Sequence, residues 1–273
     1  MSGGTDTLAV RRVRHPLKLR LVHVLRIRAL SPLQLRITFV GTDMADFASD
    51  AFDDHIKIFF PLPGETMPHL PEQNPDGTPA VGGDGPRPIA RDYTPRRFDA
   101  ESGELDIEFL LHGEGPAATW AAQARPGHCI GIGGPRGSFI VPTAFDWHLL
   151  AGDLSALPAI ARRLEELPAG KRALVLIDTD SEDARIDLPS AAAVDIRWVC
   201  RDPQDAASDT LLCALRKLDL PAGEGYAWAA GELGLAQALR SHLIDERGLD
   251  KSRVRVASYW KRGAAASHTA LDG

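Results

Sequence analysis

The chain has 273 residues, 44% hydrophobic and 25% charged, an ordinary globular balance at a length that allows two domains. That balance excludes a disordered chain or a coiled-coil rod, no apolar run is long enough to cross a bilayer, and the N-terminus lacks the apolar h-region of a secretory signal. The formal net charge is −6, yet Arg11, Arg12, Arg14, Lys18, Arg20, Arg26, Arg28 and Arg36 follow one another with no Asp or Glu between them.

In chain order, the first half reads as β-structure. Leu17–Leu21 and Leu33–Phe39 alternate apolar and polar residues, the period of a half-buried strand. His55–Phe60, Arg91–Thr94, Leu105–Leu111, Cys129–Ile132 and Ser138–Val141 continue the series. Many short strands separated by turn signals predict a sandwich or barrel. A Pro- and Gly-rich stretch from Pro61 to Pro88 interrupts it as a long loop, and long loops in compact domains are either mobile or functional.

The rhythm then changes, with a domain boundary expected between Pro142 and Trp147. Strands are predicted at Trp147–Gly152, Arg172–Asp178, Val194–Val199, Tyr226–Ala230 and Arg253–Ala257. Helices are predicted at Pro158–Leu167 with Ser155 as cap, at Thr210–Leu218, and at Leu233–Glu246 with Gly248 as the stop. Strands alternating with helices point to a parallel sheet of the nucleotide-binding kind. Cys129, Cys200 and Cys213 are odd in number and far apart, so they form neither a disulfide framework nor a CxxC site, and a reducing cytoplasm is the simplest setting.

Three segments could carry chemistry. In Arg91-Asp92-Tyr93-Thr94-Pro95-Arg96, an extended backbone puts Arg91 and Tyr93 on one face. An aromatic ring, a hydroxyl and a guanidinium there suit a flavin and its phosphate, although an edge strand with an exposed arginine explains the segment equally well. His112-Gly113-Glu114-Gly115-Pro116-Ala117 leads from a strand into a short helix, where glycines and a helix N-terminus favour a diphosphate; a plain strand-to-helix turn would read the same. Gly131-Ile132-Gly133-Gly134-Pro135-Arg136-Gly137-Ser138 is either a glycine-rich hairpin with a surface arginine or part of the same site.

Taken in order, these segments resemble the siderophore-interacting protein family, flavoproteins related to the ferredoxin reductases. Asp54-His55-Ile56-Lys57-Ile58-Phe59-Phe60-Pro61 is similar to the family's D-x-H-V-K-L-x-F-P region, and Arg91–Arg96 to its R-x-Y-T-P-R motif. His112–Ala121 looks like H-G-x-x-G-P-A-x-x-W-A, and Gly134–Ser138 like G-P-x-G-S. Gly152–Ala159 is similar to G-D-E-T-A-L-P-A. Ala230-Gly231-Glu232 and Tyr259-Trp260-Lys261-Arg262-Gly263 resemble A-G-E and Y-W-[RK]-x-G. Two departures stand out: Leu154 replaces the usual Glu, and Ser155 the usual Thr. No G-x-G-x-x-G is present, so nicotinamide binding rests on the resemblance alone.

The resemblance implies an antiparallel Greek-key β-barrel over residues 1–144 that binds FAD, then a Rossmann-like parallel α/β domain over 145–273 that receives NADH or NADPH or docks reduced ferredoxin. Arg91, Tyr93 and Thr94 would hold the isoalloxazine and its phosphate arm. His112, Gly115, Pro116 and Ala117 would line the diphosphate and adenine end. Gly137 and Ser138 would join them, with Asp153 and Ser155 near the flavin. Lys57, Arg136, Lys261 and Arg262 would form a basic patch for an anionic ferric siderophore. No catalytic side chain and no protein ligand to a metal is implied, because the flavin would carry the electrons. A monomer without nucleic acid and without membrane insertion is expected.

Three other readings compete. The arginine-rich opening stretch could be a nucleic-acid arm, but its arginines alternate with apolar residues as on the solvated face of strands, with no aromatic interleaving. The flavin could instead serve an NAD(P)H-dependent reductase with another acceptor, or a siderophore-binding protein with little turnover.

Overall fold

A computed structural model describes residues 7–72, 87–111, 115–200, 210–263 and 269–270. The chain divides into two units, Arg11–Ile140 and Val141–Gly273, the second taking in Met1–Val10. The first holds β1 (Arg11–Arg14), β2 (Leu19–Ser31), β3 (Gln34–Val40), β4 (Ile56–Phe60), β5 (Ile89–Tyr93), β6 (Pro95–Asp99), β7 (Glu104–Leu110), α1 (Pro116–Gln123), β8 (Cys129–Gly133) and β9 (Gly137–Ile140). Seven strands make one antiparallel sheet in the order β5-β4-β8-β2-β3-β7-β6, while β1 pairs with β9. The two edge strands are consecutive in the chain, with only Thr94 between them. One edge is thus tied covalently to the other, so the sheet has to curl into a barrel-like roll. Its interior is filled by Val22, Ile37, Phe39, Ile56, Ile58, Ile107, Phe109 and Ile130, all buried.

The basic opening stretch corrects two expectations. Leu21 and Leu25 face outward, at 38% and 41% exposure, whereas Arg20 on the opposite face is buried at 5%. Val22 and Val24 fix the inward face of β2, and Arg20 falls on their side. Its charge is neutralised there, because Arg20 donates to Asp46 at 2.9 Å and to the Asp43 carbonyl at 2.8 Å. Three more of these cations are paired rather than simply solvated. Lys18 pairs with Asp43 and Asp46, Arg26 with Glu104, and Arg36 with the buried Glu108. Acids distant in sequence supply what the stretch itself lacks.

The second unit is built from β10 (Trp147–Asp153), α2 (Leu157–Glu166), β11 (Arg172–Thr179), β12 (Ala193–Cys200), α3 (Thr210–Arg216), β13 (Gly225–Glu232), α4 (Leu233–Ser241), β14 (Val254–Trp260) and a two-residue strand β15 (Thr269–Ala270). The sheet order is β12-β11-β10-β13-β14-β15, parallel except at β15. The direction of winding reverses between β10 and β13, which makes the carboxyl ends of those two strands a topological switch point. Leu149, Ala151, Leu174, Leu176, Ala227 and Ala229 alternate into one face and pack on α3 and α4 through Leu211, Leu215 and Leu239. The near-continuous burial of β10 and β11 matches a sheet covered on both sides.

His148, on β10, is buried at 1% exposure. Burial, helped by the positive charges of Arg163 and Lys171, pushes its imidazole down to about 3. The unfolded chain therefore takes up a proton below about pH 6.5 that the folded chain refuses. Stability from this group is complete above that pH and is lost at up to about 1.4 kcal/mol per pH unit as pH falls towards 3. Urea midpoints measured from pH 7 to pH 4.5 should fall along this slope, and His148→Asn should flatten it.

Candidate functional site

In the first unit, β5 carries Arg91 and Tyr93 on one face. The Tyr93 ring packs 4.7 Å from that of Phe109, at the wall of the barrel core. Burial raises the Tyr93 phenol above its ordinary value, against the opposing pull of the Arg91 charge, so the two side chains are electrostatic neighbours. The guanidinium of Arg91 donates to the Ala90 carbonyl at 2.7 Å. Thr94 forms the buried corner between β5 and β6.

Lys57 and Asp92 are cross-strand partners on β4 and β5, and their side chains form a 2.7 Å ion pair. Lys57 is also in register with Gly133, the last residue of β8, and Arg136 lies exposed on the turn that follows. The fold thus brings Lys57 and Arg136 to one end of the sheet. Asp92 was not foreseen as part of this arrangement, since only the strand register reveals that it faces Lys57.

α1 is fixed to the sheet by Trp120, whose ring lies 5.5 Å from Phe60, 6.0 Å from Phe109 and 6.3 Å from Phe39. Its N-terminus begins at Gly115 with Pro116 in the first turn, and among the described residues no side chain caps it and no acidic residue stands in the first turn. A Cβ on Gly115 would meet nothing within 4 Å. The first N–H groups of α1 lie at the positive end of the helix dipole. Ala117 lies on the buried face beside this end. His112 and residues 73–86 of the proline-rich stretch lie outside the described residues.

The Gly137-Ser138 pair has a clear local role. A Cβ on Gly137 would collide with the carbonyl oxygen of Val13, so glycine permits the pairing of β1 with β9. The Ser138 hydroxyl donates to Asp54 at 2.7 Å, accepts from the Asp50 N–H at 3.1 Å, and lies 2.8 Å from Nε2 of His15. These contacts tie β9 to the loop before β4. Burial pushes the Asp54 carboxyl upward, and the hydrogen bonds from Ser138, Ala51 and Ser49 oppose that shift.

In the second unit, Asp153 closes β10 at the switch point. Its Oδ1 accepts from the Ser155 N–H at 2.9 Å and the Ser155 hydroxyl at 2.5 Å. Its Oδ2 accepts from the Glu232 N–H at 3.0 Å and the Trp260 indole N–H at 2.8 Å. One carboxylate therefore joins the carboxyl ends of β10, β13 and β14. Gly231 makes room for it, with φ +155° and no Cβ to press on Oδ2. Ser155 is not a helix cap: α2 begins after Ala156 without side-chain capping, because Asp153 engages the serine hydroxyl.

Glu232 caps α4 through the Gly234 and Leu235 N–H groups and also accepts from the Arg262 N–H at 3.2 Å. Lys261 and Arg262 are exposed on the turn so anchored. Glu232 and Trp260 complete this end of the sheet although neither was singled out as a site residue. Their signal lay in the short A-G-E and Y-W segments, which do not by themselves say that both side chains turn towards Asp153.

Two family profiles match the chain: the siderophore-interacting FAD-binding domain over residues 23–139 and the siderophore-interacting protein domain over residues 145–263. The ferric vibriobactin reductase ViuB of Vibrio cholerae is 36% identical over 247 residues, covering 89% of this chain and 90% of that one. The NADPH-dependent ferric-chelate reductase of Escherichia coli is 35% identical, covering 91% and 95% respectively. Among solved structures, a siderophore utilization protein from T. fusca superposes with a TM-score of 0.88 at 36% identity, over 95% of this chain and 98% of that one.

Proposed function

The chain belongs to the siderophore-interacting protein family, and from that premise we propose that it is an FAD-dependent reductase of ferric siderophores, fed by NADH, NADPH or reduced ferredoxin in the cytoplasm. The observation that carries this reading is that one unit holds both the N-terminus of α1, uncapped by any side chain among the described residues, and the Arg91–Tyr93 face of β5.

The residues of the first unit fit FAD. A diphosphate is favoured by N–H donors at the positive end of a helix, and the end that Gly115, Pro116 and Ala117 form carries no acidic residue in its first turn among the described residues, with Gly115 and Ala117 offering N–H groups. An isoalloxazine needs an apolar wall with a polar rim, which Tyr93 on the Phe109 wall and Arg91 beside it supply. Thr94 fixes the bend that orients both. Ser138 and Gly137 support the site from β9, and we assign them a positioning role. When bound, FAD supplies the chemistry of accepting a hydride and passing single electrons.

The chain's own tasks are then binding and steering. Lys57 and Arg136 present positive charge at one end of the barrel sheet, suited to a bulky anionic iron complex. Lys57 is held extended by Asp92, which fixes the position of its charge while leaving the side chain 44% exposed. In the second unit, Asp153 and Ser155 order the carboxyl ends of the strands, and Lys261 and Arg262 present charge beside them. Reduction weakens the hold of hard oxygen ligands on iron, so release follows electron transfer without any protein ligand to the metal.

Lys57→Ala should raise KM for a ferric siderophore several-fold while leaving FAD content unchanged. The lost pair is partly exposed, so stability should change by less than about 1 kcal/mol. Titrating the variant with FAD and assaying it with a ferrous chelator separates the two effects, and equal loss of both would make Lys57 structural.

A further inference from the structure

We propose that Asp92 is a specificity-determining residue for the iron complex: it tempers the charge of Lys57, and so limits how strongly the chain favours anionic over neutral ferric complexes. The inference rests on the reductase reading above and deepens it, by naming the residue that sets how the cationic patch reads substrate charge.

Strand register places the two residues. Lys57 on β4 stands opposite Asp92 on β5 and opposite Gly133 on β8. Its ammonium therefore has a carboxylate on one flank, 2.7 Å away. On the other flank Gly133 contributes no side chain, and Leu19 Cδ2 and Phe59 Cε2 lie 2.9 and 3.3 Å from where its Cβ would stand. Lys57 thus sits between one acid and apolar atoms, and Asp92 is its ion-pair partner among the described residues. The side chain of Lys57 is 44% exposed and that of Asp92 18%. The ammonium is the outer pole of the pair, and the carboxylate the inner one.

Two opposite charges so close act as a dipole rather than as a free cation. An anionic complex arriving from solvent is attracted by Lys57 and repelled by Asp92 a few ångströms behind it, so most of the attraction cancels. A neutral complex feels neither charge. Asp92 therefore lowers affinity for one charge class without touching the other, which is selectivity set by a repulsive element. Alternation along β5 turns Asp92 away from the face that carries Arg91 and Tyr93. This carboxylate can thus act on the iron complex without disturbing the flavin contacts. The same geometry gives Lys57→Ala a second consequence. That variant removes a cation and also uncovers an acid, so part of its rise in KM is repulsion by Asp92.

The test uses FAD-loaded, oxidised protein with no electron donor. It is titrated with a trianionic ferric tris-catecholate and with a neutral ferric tris-hydroxamate, and binding is read from tryptophan fluorescence. Each complex is compared with itself across variants, so differences in size cancel. Asp92→Asn should tighten binding of the trianion by about three- to tenfold at low salt, a gain that shrinks at physiological ionic strength, and should change the neutral complex by less than about twofold. Adding Asp92→Asn to Lys57→Ala should restore most of the affinity for the trianion that Lys57→Ala loses. FAD content should stay at the wild-type level. An Asp92→Asn variant that leaves the trianion unchanged, shifts both complexes alike, or loses FAD would overturn the inference, and so would a double variant no better than Lys57→Ala. If the wild-type protein binds neither complex, the inference fails. Mixing photoreduced protein with each complex tests the reductase reading separately. Binding with the expected charge dependence but without flavin reoxidation would sink that reading and leave the role of Asp92 standing.

Discussion

Asp153→Ala should lower the unfolding free energy by about 2–5 kcal/mol, the cost of leaving buried neutral donors without the carboxylate that accepts from them. Asp153 is 6% exposed and accepts four hydrogen bonds. Each bond to an ionised acceptor is worth about 1.5–3 kcal/mol, and because all four share one carboxylate they do not add. Truncation leaves the Trp260 indole N–H and the Glu232 N–H without their acceptor, while Ser155 can turn to water. Asp153→Asn separates two explanations. If only size and polarity matter, Asn should be tolerated. If both oxygens must accept, Asn fails in either orientation, because its NH2 group then faces a pair of donors. We expect an Asn variant nearly as unstable as the Ala variant, read by urea unfolding with tryptophan fluorescence. A wild-type midpoint for Asn would contradict the role given to Asp153.

The second large effect concerns the flavin. Arg91→Glu should weaken FAD binding by about 100-fold or more, since a charge-assisted contact worth about 1.5–3 kcal/mol is replaced by repulsion of the phosphate arm. The fold should survive. Arg91 is half-buried on β5, and its hydrogen bond to the adjacent Ala90 carbonyl holds no distant element in place. Fluorescence titration of apo-protein with FAD measures the affinity, and thermal unfolding of the apo-protein checks the fold. Loss of FAD together with a collapsed apo-protein would make Arg91 a structural residue.

Much of the architecture could be read from periodicity. The parallel unit was legible because its strands are unbroken apolar runs separated by helical patterns, and β10, β11, β13 and β14 lie where those runs predict them. The first unit was harder to read. β6 begins with Pro95, which hides a strand in a turn signal, and β1 is a run of arginines that pairs only with β9. On β2 the alternation was real but its phase was misleading. Leucines at 17, 19 and 21 suggested the buried face, yet the valines claimed it, and Arg20 was accommodated through acids more than twenty residues away. Phase is a tertiary property, decided by which face the neighbouring strands cover.

Site residues divide along the same line. Arg91 and Tyr93 could be paired from strand geometry alone, since two residues apart on a strand means the same face. The Lys57–Asp92 pair depends on the register of β4 against β5, which no local pattern encodes. Asp153 was visible as a short motif, but its partners lie 79 and 107 residues downstream. In the structure that carboxylate holds three strand ends together.

The claim that this chain moves electrons from FAD to ferric siderophore is tested most directly by one anaerobic measurement. FAD-loaded protein is photoreduced and mixed with a ferric siderophore in the presence of a ferrous chelator. The account predicts return of the oxidised flavin spectrum together with the ferrous–chelator colour, in a ratio of two irons per flavin. A flavin that stays reduced, or one that reoxidises without ferrous iron appearing, would contradict it.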